Sequence, residues 1–326
     1  METCNNFLKK SLRLNQIEDD GLIKCAGRWM KEININIPSN VDDDVLKDDG
    51  WLIHDVDKFW YNPNCRIETA YSIIYKAWMP DHGLCVYKRI MKKDCASVKE
   101  HMYLQTFLPY TIPYIVKTYD GLVYPFKGFD VDIHYRNICK ERITKHHFDT
   151  YSICASLIVH HKYILNTIHF IAAFLHRLYK IDILWKDAKL SNVLYQSGQY
   201  KVVDLGSLTP FEINGVYRHN TFNNGRVNPI FHKFEYFNTY VVGIILLEMI
   251  CSRVDIQFLT NNLDTTLGII NKHRSHNTIC DTLVTLLFFC FGDDLQLLKR
   301  HTTGVTAMAW HDLFHHMTIF KYKIKQ

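Results

Sequence analysis

A chain of 326 residues that is 48% hydrophobic and 13% aromatic, with a net charge of +5, is long for a single core and too apolar for wholesale disorder. Lysine and arginine are scattered instead of gathered into one stripe, so nucleic-acid binding has no direct support. Ten cysteines include no CxxC pair, and the opening METCNNFLKK lacks the apolar core of a signal peptide, which predicts an intracellular setting, cytoplasm or nucleus.

Residues 1–58 mix charged, polar and isolated apolar positions and read as an extension, with the acidic run VDDDVLKDD as an exposed loop. From 66 to 90, β-branched and aromatic residues around a PDHG turn predict successive antiparallel strands, the last of them carrying Lys88 in LCVYKRI. CASVKEHMYLQTF (95–107) has Val98, Met102, Leu104 and Phe107 at helical spacing, with Glu100 near the buried side. IPYIVKTYDGLVYPF predicts another strand pair. HHKYILNTIHFIAAFLHRLY (160–179) sets Ile164, Ile168, Ile171 and Leu175 four, three and four apart, the mark of a core helix.

ILWKDAKLSNVLY (183–195) then places Lys186, Asp187, Lys189 and Asn192 in one loop between apolar flanks. Burying such groups without partners costs roughly 2–7 kcal/mol for a neutral polar group and more for a charge, so they are expected to face a ligand or solvent. A turn at QSGQ joins NVLY to YKVVDLG, and that hairpin would return Asp204 to the neighbourhood of Asn192 and Asp187. Two carboxylates and a carboxamide are hard oxygen ligands of the kind that suit Mg²⁺ with substrate phosphates. A turn cap remains the plain alternative for Asp187, Asn192 and Asp204. YVVGIILLEMI and LVTLLFFCF fall short of the ~20 residues of a membrane span and read as buried helices. Adjacent histidine pairs such as KHHF and FHHM point apart and suggest no metal site. Strands first and helices later give an α+β class.

In this order the parts resemble the protein-kinase superfamily. WKDAKLSN is similar to the catalytic loop H-R-D-x-K-x-x-N, and DLG (204–206) to D-F-G. Lys88 in VYKRI resembles the lysine of V-A-I-K, and Glu100, followed by Leu104 and Gln105, its ion-pairing glutamate. NTYVVGIILLEMI keeps Gly243 and Glu248 of a D-x-W-S-x-G-x-x-x-x-E helix, and AMAWHDLFHHMTIF resembles the last helix. The resemblance covers about 66 to 320. It implies a bilobal fold with a small β-rich lobe (59–124), a hinge at 124–127 and a mainly helical lobe (128–326).

The resemblance also implies an activity: transfer of the γ-phosphate of ATP to serine or threonine hydroxyls of a protein substrate, with Mg²⁺. In that scheme Asp187 accepts the hydroxyl proton, Lys189 steadies the phosphoryl group, and Asn192 and Asp204 hold Mg²⁺. Lys88, oriented by Glu100, meets the α- and β-phosphates, while Ile67, Ile74, Tyr124 and Phe126 flank the nucleotide and Asp130 lies near the ribose. A solvated loop aspartate is the equal alternative for Asp130.

Several positions depart from the family pattern, as in a fast-diverging lineage such as a viral one. Ile67, Thr69 and Ser72 replace the three glycines of the phosphate loop, leaving an ordinary hairpin as a rival reading. Trp185 replaces the bracing histidine and Lys186 the phosphate-receiving arginine. Asn238 and Tyr240 replace an acid and a tryptophan, and RVNPIF offers only Pro229 of A-P-E, so no bridge to Arg300 is expected. A pseudokinase acting as a scaffold is the first alternative, and a small-molecule kinase of the aminoglycoside or choline type the second.

Overall fold

The computed structural model describes residues 51–54, 57–68, 72–91, 100, 103–104, 106–135, 150–213, 215–217, 233–250, 278–291 and 310–325. The expectations for Thr69, Val98, Met102, Gln105, Pro229 and Arg300, and for the acidic run 41–49, lie outside those residues. The described residues form an α+β protein with an antiparallel sheet in the first part and long helices later. They divide into two compact units, one of residues up to Asp130 together with Val193–Gly206, the other of Val131–Asn192 and residues from Ser207 onward. In this partition the hairpin after Asn192 groups with the sheet.

The sheet unit is built on β1 (Leu52–His54), β2 (Phe59–Glu68), β3 (Ser72–Met79), β4 (Gly83–Ile90), β5 (Val116–Lys117) and β6 (Gly121–Pro125), hydrogen-bonded in the order β1-β2-β3-β4-β6-β5. It starts earlier than the sequence suggests: Leu52 pairs with Tyr61 and His54 with Phe59. Gly83 makes the PDHG turn at φ 67°, a left-handed conformation that glycine adopts without a Cβ clash. β7 (Phe129–Asp130) pairs with the first strand of a later hairpin, β9 (Val193–Gln196) and β10 (Gln199–Val202).

Alternation splits the sheet into two different faces. On one, Phe59, Tyr75, Ala77, Cys85, Tyr87 and Val123 form a buried cluster, with the Phe59 and Tyr87 rings 5.0 Å apart edge to face and Tyr61 and Tyr75 5.2 Å apart. On the other, cross-strand pairing aligns Ile67 with Ile74, Ile74 with Lys88, and Lys88 with Leu122. A second row on that face holds Lys76, Val86 and Tyr124, with Lys76 Nζ 5.6 Å from the Trp51 ring beside buried Trp60 and Trp78.

The helical unit contains α1 (Thr150–Tyr179), β8 (Ile183–Trp185), β11 (Leu208–Pro210), α2 (Phe234–Ile250), α3 (Thr278–Phe291) and α4 (Trp310–Lys325), the intervening β9 (Val193–Gln196) and β10 (Gln199–Val202) belonging to the sheet unit. Ile164, Ile168, Ile171 and Leu175 of α1 are fully buried, as their spacing predicts. α1 packs on α2 and α3, and α4 on all three. α2 is buried nearly all round. Gly243 allows the close α2–α3 approach, since a Cβ there would sit 2.6 Å from Cys290 Cβ. No helix among the described residues is long and apolar enough to cross a membrane.

The β5–β6 turn carries the sheet's best-satisfied acid. Asp120 accepts hydrogen bonds from the Tyr87 hydroxyl at 2.6 Å and the Thr118 hydroxyl at 2.9 Å, and Arg89 Nε lies 2.9 Å away. Burial would raise its pKa, but the two hydroxyl donors and the Arg89 charge outweigh it, so the carboxyl titrates below its ordinary value. A depressed folded-state pKa adds stability above the unfolded value, about 3.9, that is lost as pH falls through the folded one. Asp120→Asn should therefore flatten the acid limb of the stability profile while leaving a constant deficit at neutral pH. Urea midpoints from neutral to strongly acid pH measure it; parallel acid limbs for both proteins would contradict this account.

Candidate functional site

Two clusters of polar side chains stand out, one in each unit. In the sheet unit, Lys88 projects from β4 on the face shared with Ile74 and Leu122. Its Nζ donates to Glu100 Oε1 at 3.0 Å, to Glu100 Oε2 at 2.8 Å and to Asp204 Oδ1 at 3.2 Å. The pair with Glu100 is largely withdrawn from water, at 16% and 7% side-chain exposure, whereas Asp204 is 51% exposed. Burial works against the lysine charge, but Glu100 and Asp204 more than offset it, and the Lys88 pKa is raised. Breaking a buried pair by removing one partner costs about 3–5 kcal/mol.

Three stretches of chain meet at this lysine, and backbone contacts explain how. Glu100, Tyr103, Leu104 and Thr106 have helical backbone; Leu104 is buried, and its carbonyl accepts a hydrogen bond from the buried Thr111 hydroxyl. The neighbouring Tyr110 carbonyl accepts the Val202 amide at 2.8 Å, Thr111 bridges to Val202, and Lys201 Nζ donates to the Pro109 carbonyl. The loop after the Glu100 helix thus clamps the end of β10, two residues before Asp204. β9 and β10 pair Val193 with Val202 through a two-residue turn whose Ser197 and Gly198 have φ of 49° and 82°, both left-handed as the favoured hairpin turn requires. Asp204 itself has φ of 57°, a region that aspartate enters more readily than most residues, and fully buried Leu205 follows it.

Tyr124 lies on the same sheet face, one pairing step along from Lys88. Its hydroxyl is buried with no hydrogen-bond partner among the described residues. Burial first, then the charges of Glu100 and Asp204, raise its pKa well above the usual value. Ile67 pairs with Ile74 in the ladder leading to Lys88, with Ile67 at 37% exposure. The Phe126 ring is 5.5 Å from Phe129, and Asp130 of β7 pairs with Leu194 of β9.

In the helical unit, β8 pairs with β11, aligning Trp185 with Leu208, and buried Trp185 sits edge-on to Phe174 at 5.3 Å. Beyond β8 the chain alternates: Ala188 and Leu190 are buried, while Lys186, Asp187 and Lys189 are partly exposed. The apolar residues thus anchor the loop and leave its charges outside. Asn192 ends a 3-10 turn (Leu190–Asn192); its Nδ2 donates to the Asp187 carbonyl at 2.9 Å and to Asp187 Oδ2 at 3.0 Å. Lys189 Nζ reaches the same Oδ2 at 2.9 Å. Both Asn192 contacts are thus made through Nδ2 to Asp187.

The predicted residues therefore gather as Lys88, Glu100, Asp204 and Tyr124 in one unit and as Asp187, Lys189 and Asn192 in the other. Sequence reasoning missed Thr111 and Tyr110, whose signal is a conformation and not a residue pattern. It also missed that Asn238 is fully buried with both amide atoms unpartnered among the described residues. No group of three or more His, Cys, Asp or Glu side chains that could hold a metal occurs among the described residues. The Asp204 carboxylate in one unit and the Asn192 amide in the other are each hard oxygen donors, the ligand type that Mg²⁺ takes when waters and phosphates fill the rest of its shell. No protein-family model matches the chain, and a search of curated proteins finds no match.

An unpaired buried hydroxyl costs about 1–3 kcal/mol. Tyr124→Phe, which deletes only that oxygen, should therefore raise stability in the absence of ligand by about 1 kcal/mol, read as a higher denaturant midpoint. A loss of stability would mean that the hydroxyl has a partner.

Proposed function

We propose that the chain is a phosphotransferase of the protein-kinase type, bilobal in architecture, that moves the γ-phosphate of ATP to serine or threonine hydroxyls of a protein substrate with Mg²⁺. The observation that carries this reading is Lys88 Nζ held by Glu100, 12 residues on, and by Asp204, 116 residues on, at 2.8 to 3.2 Å, residues whose family counterparts serve ATP phosphates and metal. In this scheme Lys88 meets the α- and β-phosphates, Glu100 keeps its ammonium charged and aimed, and Asp204 with Asn192 would hold Mg²⁺. The metal supplies neutralisation of charge on the phosphate oxygens.

Asp187 receives the proton of the attacking hydroxyl as the bond from phosphorus to the bridging β–γ oxygen breaks and the bond to the hydroxyl oxygen forms. Lys189, 2.9 Å from Asp187, steadies the transferring group. Phosphoryl transfer asks a protein mainly for position and charge, which these groups can provide. Ile67 and Ile74 would lie along the nucleotide, with Tyr124 and Phe126 near its base and Asp130 near its ribose.

One observation favours a second reading, a pseudokinase that binds partners without catalysis. Ile67 and Ser72 stand where glycines would let the backbone approach phosphate, and Ile67 is held in regular pairing with Ile74. Two measurements separate the readings. ATP with Mg²⁺ at 100 times its dissociation constant should stabilise the protein by about 2.7 kcal/mol. Phosphate incorporation into a mixture of proteins should fall by about 10²-fold or more in Asp187→Asn, with nucleotide binding retained. Stabilisation without incorporation selects the scaffold, and incorporation into small alcohols but not proteins selects a small-molecule kinase.

A further inference from the structure

We propose that Lys88 is a latch on Asp204: without nucleotide its ammonium covers one of the two carboxylate oxygens a divalent cation would use, so the cation binds weakly until a polyphosphate draws Lys88 away. The inference rests on the phosphotransferase reading and adds to it an order of binding. Its basis is the inequality of the three contacts. Glu100 engages Nζ through both oxygens from a position only 7% exposed, whereas Asp204 engages it through Oδ1 alone, at 3.2 Å, from a side chain 51% exposed. The bond to Glu100 is the fixed one. The bond to Asp204 can be exchanged, because water and solutes reach that carboxylate.

Charge accounting points the same way. One ammonium faces two carboxylates, so the trio carries a single net negative charge, and a divalent cation approaching Asp204 Oδ1 alone would meet a positive nitrogen 3.2 Å from that oxygen. At that separation the repulsion opposes cation binding even with the carboxylate partly hydrated. A bound triphosphate reverses the balance, since its oxygens attract the ammonium and supply ligands to the cation together. The point now held by Nζ lies within hydrogen-bonding distance of three carboxylate oxygens. A neutral side chain at 88 would leave those oxygens facing one another with no cation between them.

A second feature marks the place as built for a ligand. The Tyr124 hydroxyl is buried, lies in the field of both carboxylates and has no partner among the described residues. The trio leaves this donor unused; a phosphate oxygen or a cation-bound water would satisfy it.

The test is binding of Mn²⁺ alone to the full chain, followed by the electron paramagnetic resonance signal of free Mn²⁺. Wild type should bind weakly, and Lys88→Met at least tenfold more tightly. Lys88→Gln serves as the second variant, because its amide can still donate to Glu100 and spare the fold. Adding Asp204→Asn to either variant should abolish the gain. Equal affinity in wild type and both variants would overturn the latch, as would a gain that survives Asp204→Asn. A parallel arm adds ADP to wild type with Mn²⁺: joint uptake supports the latch, and failure of ADP to bind removes the phosphotransferase reading while the Mn²⁺ comparison still decides whether Lys88 covers Asp204.

Discussion

The sheet unit is organised around one withdrawn positive charge. An ammonium taken out of water needs compensation, and Lys88 finds it in two carboxylates from separate parts of the chain. That requirement constrains much of the local structure. β4 must present residue 88 on the face opposite the aromatic cluster, the stretch that begins at Glu100 must lie against that face, and β10 must end where Asp204 can reach it. The 107–111 loop meets the last two conditions together, since its Thr111 bonds to the Leu104 carbonyl and the preceding Tyr110 to the Val202 amide. Gly121 belongs to the same set of constraints, because a Cβ there would collide with the Lys88 carbonyl, so the strand beside β4 needs glycine for the close approach.

The helical unit solves a different problem, the exposure of charge from a chain that is otherwise buried. Trp185 is fully enclosed before the loop, and Val193 is fully enclosed after it. Between them, alternating burial sends Ala188 and Leu190 inward and lets Asp187 and Lys189 gather with Asn192 on a shared oxygen. This arrangement answers why three strongly solvated groups interrupt an apolar stretch: the apolar residues hold the loop, and the polar ones hold one another.

Legibility in the sequence followed the range of the interactions. The core helix was readable because Ile164, Ile168, Ile171 and Leu175 announce their face by local spacing, and the QSGQ turn because its conformation suits serine and glycine at those positions. Lys88 is legible as a charge set among apolar and aromatic residues in LCVYKRI. By contrast, β1 has only three residues, of which Leu52 and Ile53 are largely exposed, so no alternation marked it, and its place in the sheet comes from pairing with β2. The clamp of Thr111 and the Asp120 cluster were illegible for the same reason: each depends on residues brought together by the fold, with common residue types and no characteristic spacing. Asp187, Lys189 and Asn192 were legible as a group because the loop that unites them is short.

The missing glycines shift where phosphate affinity would have to arise. In a glycine-rich loop, backbone amides approach the phosphates and contribute many weak, fixed dipoles. Here the strand pair that includes Ile67, Ser72 and Ile74 presents side chains, and the ladder from Ile67 through Ile74 leads directly to Lys88. A nucleotide on that face would be held by apolar contact along the row and by one concentrated charge at its end. A single ammonium, poorly hydrated and kept charged by Glu100, interacts with phosphate more strongly than the same group in water, so such a site can work with fewer donors. The cost is a dependence on one residue: Lys88 must be buried enough to be strong, paired enough to remain charged, and still able to exchange one of its partners.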